Sequence, residues 1–155
     1  MNRFCKLVLA GSLAALALSA QFRGFQAASV APPQPLSIKA GGETRLPLTV
    51  RVRRGYHINS SKPNEDYLIP TALTWDAAPL EVVRVEYPEA ETVTYDFSPK
   101  PLSVYSGEIE IVTVLRAPAG AKPGETLSGQ LHYQACNDKA CLAPTSVEIS
   151  VPVTR

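Results

Sequence analysis

The chain reads as an all-β protein, and three observations carry that reading. Segment after segment alternates apolar and polar residues with period two, the signature of half-buried strands. Between those segments lie Gly41-Gly42, Arg54-Gly55, Ala78-Pro79, Ser106-Gly107 and Lys122-Pro123-Gly124, all of them turn chemistry. No stretch of useful length shows the 3.6-residue repeat of a helix, and 14 prolines spread along 155 residues oppose long helices. About seven or eight short antiparallel strands, or somewhat more, at these intervals predict an immunoglobulin-like β-sandwich.

Residues 36–39 make a short, weak strand. In the next segment Leu46, Leu48, Val50 and Val52 alternate with Arg45, Thr49, Arg51 and Arg53, the first strong strand. Residues 56–59 and 72–75 are weaker strands. Residues 80–87 form the second strong candidate, and residues 108–115, rich in Ile and Val, the third. Residues 127–135 and 147–153 continue the same alternation. There is no internal repeat and no low-complexity tract.

Composition narrows the class. With 45% hydrophobic and 19% charged residues, the chain can bury a real core as one domain. A formal net charge of +1 argues against a nucleic-acid binder and against a polybasic membrane-surface protein. The tightest basic cluster, Arg51, Arg53 and Arg54, falls on alternating strand positions and a turn, and reads as a solvated strand face. Residues 1–20 read as a secretory signal. Arg3 and Lys6 supply the positive start, residues 7–20 the apolar run, and Leu18-Ser19-Ala20 a cleavage site, with a second one around Ala27-Ala28. The apolar run is short for a membrane span, so no stable membrane insertion is expected after cleavage. Residues 21–35, small, polar and Pro-containing, read as a flexible lead-in, and residues 36–155 as the sandwich. Cys5 lies ahead of the apolar run and is not placed as a lipid acceptor. Its removal leaves Cys136 and Cys141 as an even pair in an oxidising, periplasmic or secreted, setting.

That pair is the most informative feature. Cys136 and Cys141 flank the polar turn Asn137-Asp138-Lys139-Ala140. In the chain-entropy model a bridge over so short a loop contributes only about 2 kcal/mol. A weak staple is a good candidate for a bond made and broken in use. Alternation along residues 131–136 points Leu131, Tyr133 and Ala135 to the core and His132, Gln134 and Cys136 to the polar side. Both sulfurs are then expected at an accessible edge, with their Cα atoms about 5.5–6 Å apart. Exchange needs an accessible sulfur, an attacking thiolate and a stabilised leaving thiol. Lys139 and His132 favour a thiolate and Asp138 opposes it. A passive hairpin disulfide fits the spacing equally well.

Other chemistries find little support. His132, Cys136 and Cys141 are three ligands that suit Cu(I), but no fourth is visible and oxidised cysteines are not thiolates, so neither a metal nor a cofactor is expected. No serine sits in a nucleophile elbow, and the two histidines have no triad partners in the sequence. There is no Gly-rich phosphate loop and no metal-protease helix.

The segments Gly55-Tyr56-His57-Ile58-Asn59-Ser60, Tyr67-Leu68-Ile69-Pro70-Thr71, Tyr87-Pro88, Val104-Tyr105-Ser106-Gly107 and Tyr133-Gln134-Ala135-Cys136-Asn137-Asp138-Lys139-Ala140-Cys141-Leu142-Ala143-Pro144 together resemble the N-terminal periplasmic domain of the thiol:disulfide interchange protein DsbD. The likeness runs over residues 35–153. The Tyr-Gln-x-Cys…Cys-x-x-Pro stretch is its most specific part. The resemblance implies an immunoglobulin-like sandwich carrying a redox-active pair, here Cys136 and Cys141. It implies electrons received from a membrane thiol reductase through a thioredoxin-like domain, and passed on to thioredoxin-like periplasmic proteins such as disulfide isomerases and cytochrome c maturation thioredoxins. Cys141 is the cysteine implied to form the mixed disulfide. A cap loop is also implied, with an aromatic side chain over the disulfide. Thr94-Tyr95-Asp96-Phe97-Ser98 lies where that loop belongs, so Phe97 is the first candidate cap, Tyr95 the next, and Asp96 lies between them. Tyr56 and His57 resemble the aromatic pair lining the site, and His57 is placed to accept a proton near neutral pH.

Two departures stand out. The cysteine loop, with four intervening residues, is slightly shorter than in the best-known members. The sequence ends at Arg155 with neither the membrane nor the thioredoxin-like domain. The expectation is therefore a component of a protein-disulfide reductase system, supplied by a separate membrane reductase. The competing expectation is a non-catalytic interaction sandwich with a structural hairpin disulfide.

Overall fold

The computed structural model describes residues 25–154. The signal assigned to residues 1–20, and Cys5 within it, lie outside the described residues. Twelve strands form among the described residues: β1 (Ala28–Val30), β2 (Leu36–Ser37), β3 (Glu43–Val52), β4 (His57–Asn59), β5 (Ala72–Asp76), β6 (Glu81–Glu86), β7 (Glu91–Val93), β8 (Leu102–Tyr105), β9 (Glu108–Arg116), β10 (Thr126–Tyr133), β11 (Ala135–Cys136) and β12 (Thr145–Thr154). They build three four-stranded sheets, in the orders β1-β3-β9-β6, β2-β12-β10-β5 and β11-β4-β8-β7. The described residues contain no helix long and apolar enough to cross a membrane.

The first two sheets are the layers of the expected all-β, immunoglobulin-like sandwich. Leu46, Leu48, Val50 and Val52 of β3 and Ile111 and Leu115 of β9 point inward from one sheet. Leu127, Leu131 and Tyr133 of β10 and Ile149 and Val151 of β12 point inward from the other, and all belong to one buried cluster. Period-two alternation on both sheets therefore closes a single core between them. The small third sheet joins that core through Ile58, Tyr105 and Ala135, and beside it lies a smaller apolar cluster of Leu68, Leu102 and Val104, against which Val93 and Tyr95 pack. This sheet carries the cysteines.

Each strand expected from the sequence is present, with β2 shorter than expected and β6 interrupted by a register shift between Val82 and Arg84. The flexible lead-in does not hold for residues 28–30. They form β1, whose Ala28 faces Val52 and whose Val30 faces Val50 on β3. Ala27 and Ala28 are buried. The Tyr133 hydroxyl accepts a hydrogen bond from Ala28 N at 3.1 Å and donates to Ala28 O at 3.3 Å, so the core itself holds this strand. The solvated reading of the arginine cluster holds for Arg51, which pairs with Glu108 at 2.8 Å on an exposed face. Such exposed pairs contribute little to stability.

One close approach within the second sheet lets a side chain link it to the first. A Cβ on Gly129 of β10 would lie 2.7 Å from Cζ3 of Trp75 and 2.8 Å from the Thr74 carbonyl oxygen. The absent side chain leaves room for the indole, whose Nε1 crosses to the opposite sheet and donates to Thr113 Oγ1 at 2.9 Å. Gly129→Ala is expected to lower the unfolding free energy by about 1–3 kcal/mol, the usual range for overpacking. Urea unfolding checks this: the midpoint should fall with little change in slope, and an unmoved midpoint would contradict it.

Candidate functional site

Strand β10 is hydrogen-bonded between β5 and β12 as far as Tyr133. There it stops. Two residues later β11 belongs to the third sheet, where Ala135 faces Ile58 and Cys136 faces His57 on β4. Gln134 alone spans the change of sheet. The alternation expected through residues 131–136 holds for Leu131, Tyr133 and Ala135, all in the main core, and fails at Cys136, which is buried beside Ala135. Cys136 does not emerge on the polar side: it is 0% exposed. Cys141, returning from the turn, is exposed. The expected edge pair is an asymmetric one.

The two cysteines are joined, Cys136 Sγ to Cys141 Sγ, with their Cα atoms 3.9 Å apart. That is shorter than the separation expected from the sequence, and the ladder explains the direction of the difference. Leu142 N donates to Ala135 O at 2.8 Å and Asn137 N to Ala140 O at 3.0 Å. Cys136 and Cys141 thus occupy the non-hydrogen-bonded position between two bonded pairs, where antiparallel strands come closest. Asn137 shapes the turn, its Oδ1 accepting from Lys139 N and Ala140 N, each at 2.9 Å.

His57 lies directly across from Cys136, so the two side chains share one face of the small sheet. It is 3% exposed. Its Nε2 is buried without a hydrogen-bond partner. Burial lowers its pKa below the ordinary imidazole value, so the ring is neutral at neutral pH. The Tyr95 ring stacks on it, 4.1 Å between centroids with 19° between planes. Phe97 follows, 5.5 Å from Tyr95 and 6.5 Å from His57. Burial, and then the nearby charge of Glu91, raise the Tyr95 phenol pKa. Tyr95, rather than Phe97, is the ring in direct contact with His57. Phe97 and Asp96 are exposed at the loop tip.

The other expected residues are dispersed. Tyr56 does not join the stack: its ring meets Phe25 at 5.3 Å, and the Arg53 guanidinium covers Phe25 at 5.1 Å. His132 shares a 3.0 Å hydrogen bond between its Nδ1 and Ser146 Oγ. It stands four residues before Cys136, about 13 Å of extended chain away. Among the described residues no three or more His, Cys, Asp or Glu side chains gather as a metal-holding group.

Sequence reasoning passed over the polar network beneath the hairpin. Gln134 Oε1 accepts from Asn59 Nδ2 at 3.2 Å and from Ile69 N at 3.4 Å, and its Nε2 donates to Leu142 O at 3.2 Å. Asn59 Nδ2 also donates to Ile69 O at 2.9 Å, and Thr71 Oγ1 to Asn59 O at 2.6 Å. These residues come from three of the sequence segments quoted above, which meet here in space. Their common occurrence in those segments was the available clue.

Comparison with known proteins gives three findings. The family described as "Thiol:disulfide interchange protein DsbD, N-terminal" matches residues 26–152. The Neisseria meningitidis DsbD N-terminal domain, solved in the reduced form, is 20% identical, with 73% of this chain and 80% of that one covered and a TM-score of 0.48. The N-terminal periplasmic domain of ScsB from Proteus mirabilis is 15% identical, with 76% of this chain and 43% of that one covered and a TM-score of 0.57, a likeness of fold in which this chain spans less than half of the other. No curated protein matches the chain.

The buried imidazole makes stability depend on pH. An unfolded His57 binds a proton near pH 6.5, whereas the folded site takes one only at lower pH. Its contribution is therefore complete above about pH 6.5 and is lost as the pH falls from there towards the folded pKa. Urea unfolding between pH 7.5 and 5.5 should show the parent losing more stability than His57→Gln. Parallel profiles for the two proteins would contradict this.

Proposed function

The chain belongs to the family of the DsbD N-terminal domain, and we propose that it is a periplasmic thiol–disulfide exchange module whose working bond is Cys136–Cys141. The observation that carries this reading is the asymmetry of the bond: one sulfur belongs to a buried cysteine and the other to an exposed one on the return arm. A partner can reach Cys141 while Cys136 stays seated against β4.

A thiolate of a reduced donor, a membrane thiol reductase or its thioredoxin-like domain, attacks Cys141 Sγ. The Cys136–Cys141 bond breaks, and Cys136 Sγ leaves with the electron pair and takes up a proton. The donor's second thiolate then attacks the donor sulfur bonded to Cys141, so the donor departs as a disulfide and the module as a dithiol. In the second half, the Cys141 thiolate attacks the disulfide of a thioredoxin-like periplasmic partner and displaces one of its thiolates. Cys136 attacks Cys141 Sγ, re-forms the internal bond and frees the partner's second thiolate. His57 accepts the Cys136 proton in this last step; the support is its position across the ladder and its unpartnered, neutral Nε2. Tyr95, with Phe97 above it, is the cap that a partner displaces, supported by the stack on His57. Export through residues 1–20, cut after Ala20, suits this reading, because a cut at Ala28 would remove part of the strand that Tyr133 holds.

Trapping tests the proposal. Cys136→Ala, which keeps Cys141, is expected to accumulate a mixed disulfide with an oxidised thioredoxin-like partner, and Cys141→Ala at least tenfold less of it on non-reducing gels. In the same mixtures Tyr95→Ala should react faster than the parent, and His57→Gln should resolve its mixed disulfide more slowly. Equal or absent trapping by the two cysteine variants would leave a passive hairpin disulfide. Unchanged rates would remove the roles given to Tyr95 and His57.

A further inference from the structure

Once the disulfide opens, something must keep Cys141 facing Cys136, or the bond cannot close again and release a partner. The hairpin supplies two backbone bonds, Asn137 N to Ala140 O at the turn and Leu142 N to Ala135 O at the base. The return arm runs through exposed residues from Asp138 to Cys141. Leu142, next after Cys141, is held at both of its backbone polar groups: its N–H donates to Ala135 O, and its C=O accepts from Gln134 Nε2 at 3.2 Å. The Gln134 amide is in turn fixed from behind. Its Oε1 faces two donors, Asn59 Nδ2 and Ile69 N. A flipped amide would set N–H against N–H there, so the orientation that offers Nε2 to the return arm is the favoured one. Asn59 is itself 0% exposed, and its carbonyl is bound by the hydroxyl of buried Thr71.

We propose that Gln134 is a positioning residue of the redox hairpin: it ties the arm bearing Cys141 to the buried Asn59–Thr71 network, and so holds the two thiols face to face in the reduced protein. The proposal rests on the exchange reading above and deepens it. Gln134 touches neither sulfur. It acts through the effective concentration of one thiol at the other, the quantity that decides how readily an internal disulfide forms.

The test is the equilibrium of full-length parent and variants with reduced and oxidised glutathione, read by alkylation and mass. Gln134→Ala should lower the closure constant by roughly two- to twelvefold, the range of one net hydrogen bond, making the disulfide easier to reduce. Gln134→Glu keeps an acceptor for Asn59 and Ile69 but loses the donor to Leu142, so it should lower the constant too, and it serves if the alanine variant does not fold. Thr71→Val loosens the same network without touching the return arm. It should lower the urea midpoint and leave the glutathione constant in place. A change below twofold in both Gln134 variants, or an equal change in Thr71→Val, overturns the proposal. The glutathione constant needs no protein partner, so it remains readable if trapping fails. A productive trap beside an unshifted constant would sink the Gln134 role alone.

Discussion

Between Tyr133 and Ala135 the chain passes from one sheet to another, and the site is a consequence of that one-residue handover. Up to Tyr133 the strand is committed to the main core, with its hydroxyl bound to β1. From Ala135 it is committed to β4. A regular strand would have kept its side chains on alternate faces and placed Cys136 outside. The switch leaves Ala135 in the core and covers Cys136 as well, opposite His57 on β4, while the return arm stays at the surface. Exposure is thereby given to one cysteine of the pair and withheld from the other by backbone topology. The switch also leaves backbone groups that no single sheet satisfies, and the Gln134 side chain meets part of that need.

The second consequence is a division of the apolar interior into one large core and a small cluster under the Tyr95 loop. The large core lies between the two main sheets and is sealed by Trp75 against Gly129. The base of the hairpin reaches that core through Ala135, Ile58 and Leu142, whereas the loop carrying Tyr95 rests on a cluster of three buried residues, Leu68, Leu102 and Val104. Tyr95 leans on that cluster from one side and stacks on His57 from the other. A loop seated on so little apolar area can open at modest cost, because local stability follows local burial. His57 Nε2 and Asn59 Oδ1 are the buried side-chain nitrogen and oxygen atoms left without a hydrogen-bond partner among the described residues. A neutral polar group left in that state costs about 1–3 kcal/mol. Both sit beside the hairpin, and for His57 a catalytic use offers a reason for the cost.

The long strands were legible because their inward residues are large and regularly spaced; Leu46, Leu48, Val50 and Val52 admit no other reading. Strand β1 was missed because its three residues, Ala28, Ser29 and Val30, are too few to show a period, and its place is fixed from outside, by β3 and Tyr133. The cysteine pair was legible from spacing, and its asymmetry was not. Nothing within Leu131–Cys136 signals a change of sheet, since the partner that draws β11 away, β4, lies some 75 residues earlier. Tyr56 and His57 are neighbours with different surroundings for the same reason: which side of the strand faces the hairpin is a tertiary fact. Gln134 and Asn59 were visible only as letters in motifs, because a side-chain network has no periodicity to betray it.

The claim on which the account stands is that Cys136 stays buried and Cys141 stays open when the bond between them is broken. The direct measurement is the rate at which each thiol of the reduced, folded protein is alkylated by iodoacetamide at neutral pH, resolved by peptide mass. The account predicts modification of Cys141 at least tenfold faster than of Cys136, with the difference abolished in denaturant. Equal rates in the folded protein, or faster modification of Cys136, would contradict it.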